Sequence, residues 1–148
     1  MTLIERSALV GYTSKQMFEL VNHIEAYPEF LPWCKSSEVM AQSDHEIEAS
    51  LQIAWSGIHK SFTTRNALIP YEKIKMTLVD GPLSRLEGEW TFTAVGDSGC
   101  QINLVLEFEV PGGIMSRVIQ PLFNNIANSL VERFCKRADE VYGQSNKS

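Results

Sequence analysis

The sequence is poor in the features that mark membrane, secreted and disulfide-stapled proteins. It contains no apolar run near the ~20 residues that a membrane span requires. Glu5 and Arg6 interrupt any apolar segment at the start, so we expect no secretory signal peptide. The three cysteines, Cys34, Cys100 and Cys135, are odd in number and widely spaced. They predict no disulfide framework and fit a protein of the reducing cytoplasm.

Motifs for metal, phosphate and nucleophile chemistry are also missing. The histidines, His23, His45 and His59, lie at no metal-ligand spacing from one another, from cysteine or from a carboxylate. There is no Gly-x-Ser-x-Gly elbow, and Ser61 shares a strand face with His59 without an acid to orient that histidine. Residues 111–113 lack the pattern of a phosphate loop and are better explained as a strand-to-helix breaker. We therefore expect no catalytic residues, no metal site and no required cofactor.

The net charge of −5 argues against general binding to nucleic acids, because that affinity comes mainly from neutralised phosphates. We expect no DNA partner. Ribosomal RNA would require several basic side chains to converge, although charged runs are usually solvated faces. The candidates are Arg117, Arg133, Lys136 and Arg137 on the last helix, and Lys60, Arg65, Lys73 and Lys75 on central strands.

Hydrophobic periodicity extends along nearly all of the 148 residues. We predict one domain over residues 1–143, followed by a disordered tail at 144–148. Apolar and polar residues alternate in most of the segments that we predict to be strands. These segments are 3–10, 34–41, 46–55, 60–69, 73–80, 86–94 and 102–110.

Helical signals lie at both ends of this run of strands. Thr13 and Gln16 form a capping box before an amphipathic helix, and residues 27–34 (YPEFLPWC) predict a short helical turn. Residues 114–142 predict a long helix whose apolar side covers about half of its circumference from Leu122 onward. Such a helix needs a concave partner. We therefore predict an α+β fold with a curved antiparallel sheet of about seven strands wrapped around a long C-terminal helix, and short helices after the first strand.

Pro121 divides the predicted C-terminal helix. A proline inside a helix removes a hydrogen bond, so the helix should either kink there or restart with Pro121 in its first turn. In either case residues 114–120 would expose four apolar side chains near the mouth of the space under the helix, Ile114, Met115, Val118 and Ile119. We predict that this short segment is a mobile gate for a ligand.

The candidate ligand-binding residues face the predicted space between sheet and helix. They are Phe30, Trp33, Trp55, Phe62, Thr64, Asn66, Met76, Gly88, Trp90, Phe92, Met115, Ile119 and Phe123. Gly88 would leave space, and Thr64 or Asn66 would hydrogen-bond a ligand carbonyl. The alternative is that these polar side chains satisfy neighbouring backbone groups. A one-residue shift of register would instead turn Arg65 inward, which is costly for an unpaired charge.

Several segments together resemble the START-like, or polyketide cyclase/dehydrase-like, superfamily. They are VNHIEAYPEFLPWC at 21–34, SFTTRN at 61–66, LVDGP at 78–82 and the GEWTF strand at 88–92, followed by the long helix. The resemblance is strongest to the coenzyme Q-binding protein branch, which includes bacterial ribosome-association toxins, and it covers residues 3–142. It implies a helix-grip fold with an apolar cavity between sheet and helix.

We expect a function without catalysis, because the inward-facing residues are almost all apolar. In the toxin members the resemblance implies binding to the large ribosomal subunit, which blocks association with the small subunit and inhibits translation. The alternative is a ubiquinone carrier or chaperone that supports respiratory electron transport, with a quinone or other apolar ligand bound. A third reading is a cyclase or aromatase, but the inward-facing residues include too few titratable groups for proton transfer. We expect a monomer.

Overall fold

The computed structural model describes residues 2–55, 57–114 and 116–143. Over these residues the strands are β1 (Thr2–Val10), β2 (Cys34–Gln42), β3 (Glu46–Trp55), β4 (Ile58–Ile69), β5 (Lys73–Asp80), β6 (Arg85–Val95) and β7 (Gly99–Glu109). The helices are α1 (Ser14–Asn22), a 3₁₀ helix (Ile24–Glu29) and α2 (Ser116–Tyr142). Met115 and the predicted tail at 144–148 lie outside the described residues.

The strands form one antiparallel sheet in the order β1-β7-β6-β5-β4-β3-β2. Consecutive strands from β2 to β7 are neighbours, and β1 pairs with β7 at the far edge. The inner face is apolar because side chains alternate along each strand, as in β7, where Cys100, Ile102, Leu104, Leu106 and Phe108 are buried. The predicted α+β helix-grip fold, a curved sheet around a long C-terminal helix, is confirmed.

The register of β4 turns the predicted side chains inward. Phe62 and Asn66 are buried, whereas Arg65 between them lies on the outer face. There the Arg65 guanidinium lies 3.6 Å from the Glu46 carboxylate and 2.9 Å from that of Glu48. A one-residue shift would bury the arginine away from both partners, so the ion pairs and the apolar pattern favour the same register.

Helix α1 covers part of the inner face together with α2. The backbone N–H of Gln16 donates to Thr13 Oγ1 at 3.1 Å, and the backbone N–H of Thr13 donates to Gln16 Oε1 at 2.8 Å. This capping box starts the helix at the predicted place. Met17 and Val21 are buried where α1 packs against β6, β7 and α2. The sheet therefore holds two helices, α1 and α2, on its inner face.

The segment after α1 closes one end of the sheet. Tyr27 donates its hydroxyl hydrogen to the Val21 carbonyl at 2.5 Å, and the Leu31 N–H donates to the Tyr27 carbonyl at 2.9 Å. The rings of Tyr27 and Phe30 lie edge-on to Phe134 of α2, with centroids 5.4 and 5.2 Å away. The short aromatic turn is thus anchored both to α1 and to the long helix.

Helix α2 runs from Ser116 through Pro121 to Tyr142 without a break in its assignment. Of the two alternatives predicted for Pro121, the start of a second helical segment is therefore wrong, and a kink stays a prediction. Pro121 is exposed, so its ring faces away from the core while the helix gives up one backbone hydrogen bond. Ile119 is only 1% exposed and Ile114 is 83% exposed, so Ile119 is a core residue and not an exposed part of a gate. The mobility of residues 114–120 stays a prediction.

Candidate functional site: an apolar cavity and an adjoining cleft

A cavity of about 80 Å³ lies between the inner face of the sheet and α2. Strands β3 to β7, α2 and the segment from Ile24 to Trp33 all contribute to its wall. The lining residues are Ile24, Tyr27, Trp33, Ala49, Leu51, Phe62, Thr64, Asn66, Met76, Leu86, Trp90, Leu106, Phe123, Ile126, Leu130 and Phe134. Apart from Thr64 and Asn66, and the polar tips of Tyr27 and Trp33, this wall is apolar.

Two buried polar atoms at the cavity have no hydrogen-bond partner. Asn66 is 6% exposed, and its Oδ1 is unpaired. Trp33 is 7% exposed, and its Nε1–H is unpaired. Leaving a buried donor or acceptor unsatisfied costs about 1–3 kcal/mol, and most such groups in proteins do find partners. The residues that line the cavity thus include one buried acceptor and one buried donor without a hydrogen-bond partner.

Gly88 serves the cavity wall differently from what the sequence suggested. A Cβ atom at Gly88 would lie 2.6 Å from Met76 Cε and 2.7 Å from Leu106 Cδ1. The space above this glycine is therefore already filled by two neighbouring side chains, both of which line the cavity. Gly88 lets Met76 and Leu106 meet across β6 and leaves no additional volume for a ligand.

A second space, a surface cleft of about 250 Å³, adjoins the cavity. It lies between α2, the segment that follows the 3₁₀ helix and the end of β3. Its lining residues are Pro32, Trp33, Trp55, Leu122, Asn125, Ile126, Ser129 and Arg133. Trp33 and Ile126 line both spaces, so their side chains form part of the wall between the cleft and the cavity.

The structure brings together seven of the predicted ligand-binding residues around the cavity. They are Trp33, Phe62, Thr64, Asn66, Met76, Trp90 and Phe123. Most of them are apolar, as in an ordinary hydrophobic core. They differ from such a core in the empty space that they enclose and in the unpaired polar atoms of Trp33 and Asn66. Their placement makes them candidates for ligand contact.

The other predicted residues lie elsewhere on the inner side. Trp55 lines the cleft, and Phe92 packs against Phe18 of α1 with ring centroids 5.7 Å apart. Phe30 lies against Phe134 and beneath the Arg137 guanidinium, at 5.0 Å from its ring centroid. Ile119, near the start of α2, packs in the core. Gly88 lies behind Met76 and Leu106, and Met115 falls outside the described residues. Alternation along a strand indicates which face a residue occupies but not its depth, so it places Trp55 and Phe92 on the inner face without giving their distance from the cavity.

Nine lining residues were missing from the predicted set. They are Ile24, Tyr27, Ala49, Leu51, Leu86, Leu106, Ile126, Leu130 and Phe134. The strand members of this set all lie on faces that the alternation predicts to be inward. A signal for their orientation was therefore present, whereas their position opposite α2 depends on how the helix crosses the sheet.

The cavity is poor in groups that could transfer protons near neutral pH. Burial raises the pKa of the Tyr27 phenol above its ordinary value. Burial also raises the pKa of the Cys34 thiol to about 11, and the pKa values of Cys100 and Cys135 are raised mainly by the same effect. These thiols therefore stay protonated at pH 7. Across residues 2–55, 57–114 and 116–143, no three His, Cys, Asp or Glu side chains are placed to hold a metal ion.

Three of the eight basic candidates for RNA binding are paired with carboxylates. Arg65 is engaged by Glu46 and Glu48 on the outer face, while Lys73 lies 3.4 Å from the Glu89 carboxylate. On α2, Arg137 donates to Glu29 at 3.1 Å. Carboxylates therefore offset two of the four strand candidates and one of the four helix candidates. Among the described part of the chain, Arg133 makes no ion pair and lies in the cleft.

Two comparisons of sequence find relatives over nearly the whole chain. A family model described as polyketide cyclase / dehydrase and lipid transport matches residues 10–135. The ribosome association toxin RatA of Pseudomonas aeruginosa is 43% identical over 142 residues, which covers 96% of this chain and 99% of that protein. The mitochondrial coenzyme Q-binding protein COQ10 homolog B of Xenopus laevis is 26% identical over 143 residues, covering 93% of this chain and 58% of that protein.

The fold also matches a solved structure. The Zhui aromatase/cyclase from Streptomyces sp. R1128 superposes with a TM-score of 0.81 at 14% identity, over 93% of each chain. This likeness concerns the fold alone. No helix in the described ranges is long and apolar enough to cross a bilayer. With the sequence match over most of its length and the helix-grip architecture, the chain belongs to the polyketide cyclase / dehydrase and lipid transport family.

Proposed function

We propose that this protein acts in the cytoplasm as a ribosome-association toxin. In this role it binds the large ribosomal subunit, blocks its joining with the small subunit and thereby inhibits translation. The observation that carries the proposal is the 43% identity to a RatA protein, with 96% of one chain and 99% of the other covered. The cavity wall, in which Tyr27 is the one titratable side chain, supports action by binding and not by catalysis.

The charge distribution predicts how binding to the large subunit should depend on salt concentration. A net charge of −5, with Arg65, Lys73 and Arg137 already paired to carboxylates, supplies few cations to neutralise phosphates. Affinity for RNA falls with salt in proportion to the number of phosphates neutralised. We therefore expect the complex with the large subunit to lose affinity only gradually as salt rises.

Sucrose-gradient profiling tests the proposal directly. Overproduction of the protein should raise the free subunits at the expense of joined ribosomes, and the protein should sediment with the large subunit. The same result should follow when purified protein is added to separated subunits before joining. Unchanged subunit joining in the purified system would overturn the proposal, and sedimentation with the small subunit alone would overturn the assignment of the partner.

A ubiquinone-binding role is the second candidate, and the relation to COQ10 homolog B favours it. A quinone carbonyl accepts hydrogen bonds, so it would pair with Trp33 Nε1–H, or with the Asn66 amide turned to present its nitrogen. The size of the cavity opposes it, since about 80 Å³ is well below the ~300–1,000 Å³ of typical ligand sites. Native mass spectrometry of protein from quinone-containing cells should show a quinone adduct if this candidate is right.

A cyclase-like activity has less support. The aromatase/cyclase match is at 14% identity and carries the fold but no chemistry. The cavity wall contains neither a histidine nor a carboxylate that could serve as general acid or base.

A further inference from the structure

We propose that the cleft beside α2 binds the anionic head of an amphipathic ligand, whose apolar chain enters the cavity past Trp33. The chemical class is a medium-chain carboxylic acid. This site is distinct from the ribosome role, and it differs from a quinone site because ubiquinone carries no charge. The cleft supplies the cation, and the cavity supplies the apolar surface.

Arg133 is the cation of this site. It lines the cleft, is half-buried and makes no ion pair with any carboxylate among the described residues. Its neighbours one turn toward the C-terminus are Lys136 and Arg137, and Arg137 already engages Glu29. Residues three and four apart on a helix are the ones that interact. Among the described residues Lys136 makes no ion pair, so it adds positive charge one turn from Arg133 and favours an anion in the cleft.

The hydrogen-bonding groups around Arg133 suit a carboxylate. The guanidinium offers a planar fork of donors that matches two carboxylate oxygens. The Asn125 amide, two turns earlier on the same stripe of α2, lines the same cleft and adds a donor. Ser129 lies between them, but its hydroxyl already donates to the Ile126 carbonyl at 3.2 Å, so Arg133 and Asn125 supply the donors for the carboxylate. A single carboxylate can thus be held at one end of the cleft.

Trp33 is the part of the wall that can move at little cost in hydrogen bonds. Its indole borders both cleft and cavity, and its Nε1–H has no partner to lose. If the indole turns aside, the cleft of about 250 Å³ and the cavity of about 80 Å³ become one space. That joined space reaches the lower end of the ~300–1,000 Å³ range of small-molecule sites, which neither part does alone.

The test uses decanoate, 1-decanol and decyltrimethylammonium on the purified full chain, each below the concentration at which it forms micelles. All three tryptophans, Trp33, Trp55 and Trp90, border the two spaces, so intrinsic fluorescence reports occupancy and calorimetry gives the affinity. Decanoate should bind at least about tenfold more tightly than decanol, because its carboxylate makes charge-assisted hydrogen bonds to a guanidinium that the neutral hydroxyl of decanol cannot make. The cationic amphiphile should bind most weakly.

Variants separate the head-group site from general apolar binding. Arg133→Gln should weaken decanoate binding about tenfold and leave decanol binding unchanged. The decanoate affinity of Arg133→Lys should lie between those of the wild type and Arg133→Gln. Arg117→Gln, an exposed arginine earlier on the same helix, is the matched control and should change neither ligand. Equal losses for decanoate and decanol in Arg133→Gln, or no loss for either, would overturn the head-group site. Absence of decanoate binding to the wild-type chain would overturn the whole inference and leave the ribosome proposal untouched.

Discussion

The core of this protein has two well-packed clusters, and the region between them is packed less completely. The α1 cluster contains Met17, Cys100 and Ile102, and the α2 cluster contains Cys34, Phe108 and Leu122. Within each cluster, side chains are buried among apolar neighbours. The cavity draws its wall from both clusters and holds the unpaired atoms of Asn66 and Trp33. The same alternating strands thus build tight and loose regions on one face.

The difference follows from which elements cover the sheet. Helix α1 ends at Asn22, and the chain then turns through the 3₁₀ helix toward the edge strand β2. The inner face opposite β4 and β5 is consequently covered by α2 and by the side chains of Tyr27 and Trp33. A hydrophobic pattern is therefore sufficient to bury a face, but filling it to close packing needs a second helix across it.

The largest expected effect tests the α1 cluster. Met17→Ala removes a fully buried side chain, and the side chains packed around it should not close the cavity that the truncation leaves. It should lower the free energy of unfolding by about 2–5 kcal/mol. Urea denaturation measures it, with Leu9→Ala, at a position that is 70% exposed, as a control that should change stability by less than about 0.5 kcal/mol. A Met17→Ala cost no larger than the control would contradict the packing difference.

The second prediction concerns Cys34 in the α2 cluster and its dependence on pH. Burial raises the pKa of its thiol to about 11 from an ordinary value of 9.0. Between these values the unfolded chain releases the proton and the folded chain keeps it, so stability is lost as pH rises. Cys34 should contribute a loss of roughly 2 kcal/mol between pH 9 and pH 11. Cys34→Ala should flatten the pH dependence of unfolding in that window, and an unchanged slope would show that the thiol is not buried as described.

The third prediction tests how closely side chains pack against β6 at the cavity wall. Gly88→Ala places a methyl group against Met76 and Leu106, within 2.7 Å of each. We expect a loss of about 1–2 kcal/mol, at the lower end for overpacking because the end of a methionine side chain is flexible. Gly11→Ala is the matched control, since a Cβ there meets no atom within 4 Å. If Gly88→Ala leaves the free energy of unfolding unchanged in chemical denaturation, the added methyl group is accommodated by a shift of Met76 into the cavity.

The smallest effect has the opposite sign. Asn66→Leu replaces a buried amide, whose oxygen has no partner, with an apolar side chain of similar size. The change should raise the free energy of unfolding by about 1 kcal/mol, because it removes the cost of an unsatisfied acceptor. Thermal and urea unfolding measure it against Thr13→Ala, which loses the cap of α1 and should cost about 1 kcal/mol. A destabilised Asn66→Leu would mean that the amide is paired in solution.

Particular residues show where prediction from sequence succeeds. The capping box at Thr13, the bounds of β3 and β5, and the inward face of β4 are as predicted, because each depends on neighbours within a few positions. Pro121 shows where it fails. Its local cost predicted either a kink or a new helical segment, whereas the apolar contacts of Ile119, Leu122 and Phe123 on either side hold one continuous helix. Tertiary packing outweighs one lost hydrogen bond.

By itself, the sequence determined the sheet, its covered face and the wide apolar surface of α2, because side-chain periodicity is a local property of strands and helices. Only the tertiary structure decided where the cavity lies, that Asn66 has no partner for its oxygen, and that Arg133 and Trp33 meet in one cleft. Those features depend on the angle at which α2 crosses strands distant from it in the chain. No spacing within a single segment encodes that angle.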